Sequence, residues 1–118
     1  MMRFARTMQL IGENGLARLR GATVAVFGLG AVGSYVVEAL ARAGVGGLVL
    51  FDHDTVGASN INRQIFPLHS TVGRPKAEVA RERVLDINPD CRVESRVQFV
   101  DGENVAGLLE ERFDVVVD

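Results

Sequence analysis

ATVAVFGLGAVGSYVVEALARAG, residues 22–44, decides the fold. Its first part, 22–28, is a β-branched apolar run that ends in glycine, the pattern of a buried strand. Its last part, 32–44, predicts a helix with Val36, Val37, Leu40 and Ala43 on one face and Gly44 just past its end. Between them GLGAVG, 28–33, is a complete G-x-G-x-x-G. In that pattern Gly28 permits a tight turn, Gly30 lets the backbone approach a phosphate, and Gly33 lets helix and strand pack closely. The helix start then offers unpaired N–H groups and the positive end of a dipole to an anion. GLVLFD, 47–52, reads as the next strand, and Asp52 lies 22 residues after Gly30, where a carboxylate can accept hydrogen bonds from ribose hydroxyls. The plainer alternative is that the glycines only allow a tight β–α turn. Taken alone, the fingerprint favours NAD.

Working outward, the first twenty residues are amphipathic, with Phe4, Met8, Ile11, Leu16 and Leu19 near helical spacing and Gly12 and Gly15 breaking the run. Residues 55–73 have loop chemistry, 76–88 predict a charged helix stopped by Pro89, and 91–100 alternate as a third strand. A helix over 104–112 and a strand over 113–118 follow. This order predicts an α/β fold: a Rossmann-like, doubly wound, mostly parallel sheet over 22–118, preceded by a helical arm over 1–21. The last strand falls on the final residue, so the expectation is a fragment truncated at its fourth strand, with an incomplete site.

Composition fits a globular domain: 118 residues, 47% hydrophobic, 24% charged, thirteen glycines against three prolines. No apolar run approaches the ~20 residues that span a bilayer. The N-terminus lacks the apolar stretch of a secretory signal, so no membrane and a cytoplasmic location are expected. Net charge is −2, which excludes a global basic field for nucleic acid but leaves a local basic surface open. One cysteine makes neither a disulfide nor a structural zinc site. No metal-ligand spacing is evident.

Downstream residues turn the reading away from NAD. SNINRQ, 59–64, groups Asn60, Asn62, Arg63 and Gln64, and TVGRPK, 71–76, places Lys76 at a helix start. Such a set suits a triphosphate better than a nicotinamide, because arginine offers a planar fork and lysine a point charge for phosphate oxygens. Each residue also has a bland reading: Arg63 a solvated loop residue, Lys76 an exposed first-turn residue, Asn60 an Asx-turn former. A cation at a helix N-terminus is electrostatically unfavourable, which favours a functional Lys76.

With RFART (3–7), VFGLGAVGS (26–34), LVLFDHDTV (48–56), SNINRQ, TVGRPK and INPDCRV (87–93) in order, the chain resembles the ThiF/MoeB/HesA superfamily. These are ATP-dependent adenylating enzymes related to ubiquitin-activating enzymes. NINRQIFPL is most similar to the tRNA threonylcarbamoyladenosine dehydratase branch. The resemblance implies ATP and Mg2+ as cofactors, with Gly28, Gly30, Ala31 and Gly33 at the phosphate turn. Asp52 would hold the ribose, with Asp54 nearby, and Asn60, Arg63, Gln64 and Lys76 would surround the phosphates. Arg63 and Lys76 would neutralise charge as pyrophosphate leaves. Arg6 would reach the partner's ATP site in a homodimer. Ala31 departs from the commoner second glycine, and a magnesium-associated aspartate of relatives would lie three residues past Asp118, so this fragment is expected to lack turnover.

The reaction so implied is carboxylate activation as an acyl-adenylate, in this branch on a threonylcarbamoyl group of tRNA, followed by ring closure with loss of water. A sulfur-carrier or ubiquitin-like protein substrate, an NAD-dependent oxidoreductase, and a non-catalytic dimerising module are the alternatives. Cys91 is expected to be packed rather than reactive. His53 and His69 are expected to be solvated or hydrogen-bonded. Lys76, Glu78, Arg81, Glu82 and Arg83 are expected to form a soluble helix face, with a contribution to a tRNA surface in the full-length protein as the alternative, and Arg3 and Arg6 have the plain alternative of surface charges.

Overall fold

The computed structural model describes residues 2–118, so Met1 of the predicted arm lies outside the described residues. The continuously apolar run GLVLF forms β2 (Gly47–Phe51), buried along its whole length because strands flank it on both sides. β1 (Thr23–Phe27) pairs with it in register from Thr23 opposite Gly47 to Phe27 opposite Phe51. β3 (Arg92–Arg96) and β4 (Val115–Val117) complete a four-stranded sheet in the order β3-β2-β1-β4, every pairing parallel.

Strand alternation sends neighbouring residues to opposite faces. Val24, Val26, Leu48 and Leu50 meet α2 (Ala31–Ala43) and α3 (Lys76–Ile87) through Val37, Ala41, Ala80 and Val84. Ala25, Val49 and Phe51 form a smaller core with Leu108 of α4 (Val105–Leu109) on the other face. Successive strands β1, β2 and β3 thus step one way under α2 and α3. The chain then returns through α4 to place β4 beside β1. This reversal is the topological switch point, and ligands of such sheets sit at the strand carboxyl ends beside it.

The predicted arm is α1 (Ala5–Gly21), entered through a 3-10 turn at Met2–Phe4. It breaks at Gly12, whose φ of 75° no helix accommodates, while Gly15 stays helical. Phe4 and Leu16 are buried where the arm packs on the end of α2.

Four elements differ from the sequence reading, and the strand predicted over 113–118 is only Val115–Val117. The strand predicted over 91–100 ends at Arg96, and residues 97–100 leave the sheet. The helix predicted over 104–112 is only Val105–Leu109, preceded by a turn in which the Asp101 carboxylate accepts the N–H groups of Glu103 and Asn104 at 2.9 and 3.0 Å. The loop 55–73 carries two 3-10 turns, Ala58–Asn60 and His69–Thr71.

The soluble face predicted for α3 holds at Glu78, Arg81 and Glu82, which are exposed, and is corrected at Lys76 and Arg83. Lys76 is buried, and Arg83 is held by Glu38 of α2 in a bidentate pair at 2.6 and 2.9 Å. Arg42 adds a bond to Glu38 at 2.8 Å. The Arg83 guanidinium is the largest cause holding the Glu38 carboxyl below its ordinary value of 4.5. A carboxyl with a lowered folded pKa contributes stability that is full above its unfolded value and is lost as pH falls through the folded one. An acid titration of the thermal midpoint should therefore show a loss below the ordinary carboxylate range that is smaller in Glu38→Gln. Equal curves would remove the pair from the stability account.

Candidate functional site

At the end of β1, Gly28 has φ of 92°, a conformation that favours glycine. Its N–H donates to the Phe51 carbonyl at 2.8 Å, which ties the turn to β2. A Cβ on Gly33 would stand 1.9 Å from the Gly28 carbonyl oxygen, so the first turn of α2 lies directly against the loop. By contrast, nothing lies within 4 Å of where a Cβ on Gly30 would be. Gly30 is the N-cap of α2, whose first N–H groups have no acceptor within the helix. Each glycine thus has the geometry that its place in the fingerprint predicts.

Asp52 joins this turn to the loop after β2. One carboxylate oxygen accepts the Leu29 N–H at 2.7 Å and the other accepts the Asp54 N–H at 2.8 Å. The Asp54 carbonyl in turn accepts the Lys76 N–H at 3.0 Å, and Val56 exchanges backbone bonds of 2.8 Å with Gly73 and Arg74. Residues 54–56 are therefore zipped to 73–76, and this zipper delivers Lys76 to the site from a distant part of the sequence. Lys76 is only 7% exposed, yet among the described residues its ammonium has no hydrogen-bond or ion-pair partner. A cation without a protein partner at a helix start is electrostatically unfavourable, and this one lines a cavity where an anion could complete it.

These groups line one cavity of about 630 Å³ at the strand carboxyl ends. Gly28–Gly30, Asp52–Asp54, Lys76, Asp118 and the segment 98–102 form its wall. The volume falls within the ~300–1,000 Å³ usual for small-molecule sites.

Other predicted residues lie outside that wall. Asn60 is the Asx-turn former of its bland reading, its side-chain oxygen accepting the Gly57 N–H at 2.9 Å. Arg63 is exposed and donates to the Ser59 carbonyl at 2.8 Å and the Asn62 side chain at 3.1 Å. Gln64 is buried, and among the described residues its side-chain oxygen has no partner. Ala31 opens α2 behind the turn, and Arg6 is exposed on α1.

Sequence reasoning missed the 98–102 wall, although Asp101-Gly102 is a turn signal that argued against a strand running through to residue 100. It also passed over the grouping of Asp52, His53 and Asp54, whose ligand atoms lie within 4.8 Å of one another. His53 sits 3.2 Å from Asp54 and edge-on to Phe99, with ring centroids 4.8 Å apart. Cys91 is packed as expected, since burial pushes its thiol up and its sulfur lies 3.5 Å from the Val45 carbonyl oxygen.

The ThiF family model matches residues 4–118, which is nearly the whole chain. The chain belongs to the ThiF family. This ThiF-family chain is 44% identical over 115 residues to the tRNA threonylcarbamoyladenosine dehydratase of Bacillus subtilis, covering 98% of itself and 45% of that relative. It is 38% identical over 120 residues to the molybdopterin-synthase adenylyltransferase of Escherichia coli, covering 100% of itself and 48% of that relative. Among solved structures it resembles the E. coli tRNA N6-threonylcarbamoyladenosine dehydratase in complex with ATP. That match has a TM-score of 0.95 at 44% identity, over 98% of this chain and 47% of that one. The chain thus spans less than half the length of these relatives.

Proposed function

We propose that the cavity holds ATP and that the protein carrying this domain adenylates a carboxylate, that of a threonylcarbamoyl group on tRNA. The single observation that carries the reading is Lys76: a largely buried side chain whose ammonium has no protein partner among the described residues and which lines the same cavity as an open glycine turn and a ribose-type carboxylate. Its sequence setting supports the substrate, since similarity to threonylcarbamoyladenosine dehydratases reaches 46% identity over 116 residues.

The residues present fit the nucleotide. Gly28–Gly30 and the α2 N-terminus supply N–H donors for phosphate oxygens, and Lys76 supplies a localised positive charge. Asp52 spends one lone pair of each oxygen on backbone N–H groups, leaving others for ribose hydroxyls. When bound, ATP supplies an electrophilic α-phosphate with pyrophosphate as leaving group. The protein's part is then positioning and charge stabilisation rather than nucleophilic attack. Asn60, Arg63 and Gln64 are assigned to the phosphate end in this reading, which requires Asn60 and Arg63 to exchange their present bonds within the loop for the nucleotide. The wall sets Asp52, Asp54, Asp101 and Asp118 against Lys76. A polyphosphate enters that lining with a divalent cation, and Mg2+ is the proposed ion.

A homodimer with Arg6 crossing to the partner's site completes the proposal. Val32 and Tyr35, 72% and 56% exposed on the first turn of α2, offer apolar surface beside the glycine turn for such a contact. Among the described residues no helix is long and apolar enough to cross a membrane. Cytoplasmic placement is part of the same proposal.

A second reading is adenylation of a sulfur-carrier or ubiquitin-like protein, favoured by 38% identity over 119 residues to the sulfur carrier protein ThiS adenylyltransferase of E. coli. One experiment separates the two. With ATP and threonylcarbamoyl-modified tRNA, the whole protein should release AMP and yield a cyclised base. Pyrophosphate exchange that depends instead on a Gly-Gly-ended carrier protein would overturn the tRNA reading.

A further inference from the structure

A second concavity lies at the opposite end of the sheet from the nucleotide cavity. It measures about 380 Å³ and is lined by Arg3, Arg42, Arg83, Asp86 and Ile87. Arg42 stands on the last turn of α2 and Arg83 and Asp86 on the second half of α3, with Arg3 entering from the turn before α1. Both helices run antiparallel to the strands they connect, so these ends lie about a helix length, ~18 Å, from the glycine turn.

Glu38 organises the cleft. It is nearly enclosed, with its side chain 13% exposed, and it accepts Nε of both Arg83 and Arg42 together with Nη2 of Arg83. Two guanidinium groups are therefore fixed on one carboxylate. Among the described residues, Nη1 of Arg83 and both Nη groups of Arg42 have no protein acceptor. Arg3 lies with its guanidinium 5.9 Å from the centroid of the Phe4 ring and, among the described residues, also lacks a carboxylate partner.

The charges decide what fits. Three guanidinium groups against Glu38 and Asp86 leave one net positive charge, in a lining whose one apolar member is Ile87. That balance suits a phosphodiester, which is a monoanion with several acceptor oxygens, and planar forks recognise such a group well. The surroundings reinforce it. Although the chain as a whole is at −2, residues 1–22 hold Arg3, Arg6, Arg18 and Arg20 against Glu13 alone.

We propose that the Arg3–Arg42–Arg83 cleft is a docking point for a backbone phosphodiester of the RNA substrate. The choice of RNA rests on the tRNA reading above, whereas the anion chemistry rests on the cleft itself.

The test is fluorescence anisotropy of labelled, unmodified tRNA with the protein over a series of salt concentrations. Arg3→Ala and Arg42→Ala remove exposed side chains, and Glu38 keeps Arg83 in both. Each should weaken RNA binding about fivefold and reduce the slope of log affinity against log salt by about one. Arg112→Ala, which removes one exposed charge following α4 on the other face of the sheet, should leave the slope unchanged. Circular dichroism should show all three variants folded, and their ATP affinity should equal that of the wild type. Slopes in Arg3→Ala and Arg42→Ala that match Arg112→Ala would overturn the cleft proposal and leave the ATP reading standing. So would weakened binding of a Gly-Gly-ended carrier protein with tRNA binding untouched. Absence of ATP binding in the wild type would instead strike the adenylation reading.

Discussion

Replacing Lys76 by methionine should lower affinity for ATP roughly 10- to 100-fold while changing AMP affinity little. A hydrogen bond to a charged group contributes about 1.5–3 kcal/mol, and ~1.4 kcal/mol is a factor of ten in affinity. Methionine keeps the apolar stem that the protein buries and removes only the ammonium. The same replacement should raise the thermal midpoint slightly, because the native cation opposes the helix dipole and among the described residues has no partner to lose. This combination of lost ligand affinity and gained stability separates a functional lysine from a structural one. A structural lysine would lose stability when truncated. Calorimetric titration and thermal melts of the two proteins read both quantities.

Gly33→Ala carries the second large effect, and it falls on the fold. The new Cβ would stand 1.9 Å from the Gly28 carbonyl oxygen, and the neighbour is backbone rather than the movable end of a side chain. Either α2 moves away from β1 or the glycine turn changes shape. Overpacking of this kind costs about 3 kcal/mol or more, against which the helix-propensity gain of ~1 kcal/mol from glycine to alanine is too small. The melting temperature should fall by about 10 °C. Gly30→Ala is the informative contrast, since its Cβ meets nothing within 4 Å in the protein. It should keep the melting temperature while weakening ATP. Equal melting temperatures for wild type and Gly33→Ala would mean that the close approach of helix and turn is not needed.

The segment from β1 through β2 was legible because each signal there is local. A β-branched run, three glycines at fixed offsets, an apolar helix face and a second buried run lie within thirty residues. Lys76 was legible for a related reason, as a cation at a helix start contradicts the local dipole and asks for an explanation. The rest depends on contacts that no local pattern encodes. Val97 and Phe99 continue the alternation of a strand, but the chain has already turned out of the sheet, and Phe99 forms cavity wall. Arg83 reads as one of several charges on a solvated helix until α2 brings Glu38 to it from 45 residues away. Asn60 and Arg63 are satisfied by their own loop, through Gly57 and Ser59. Composition alone cannot tell such local bonding from contact with a ligand.

In the proposed function a glycine turn and a cation carried by a later helix make this cavity a triphosphate site rather than a dinucleotide one. Isothermal titration of the protein with ATP and, separately, with NADH, both in the presence of Mg2+, tests it most directly. ATP binding should saturate, be tighter than NADH binding and weaken when Lys76 is replaced. NADH binding tighter than ATP, or ATP binding indifferent to Lys76, would contradict it.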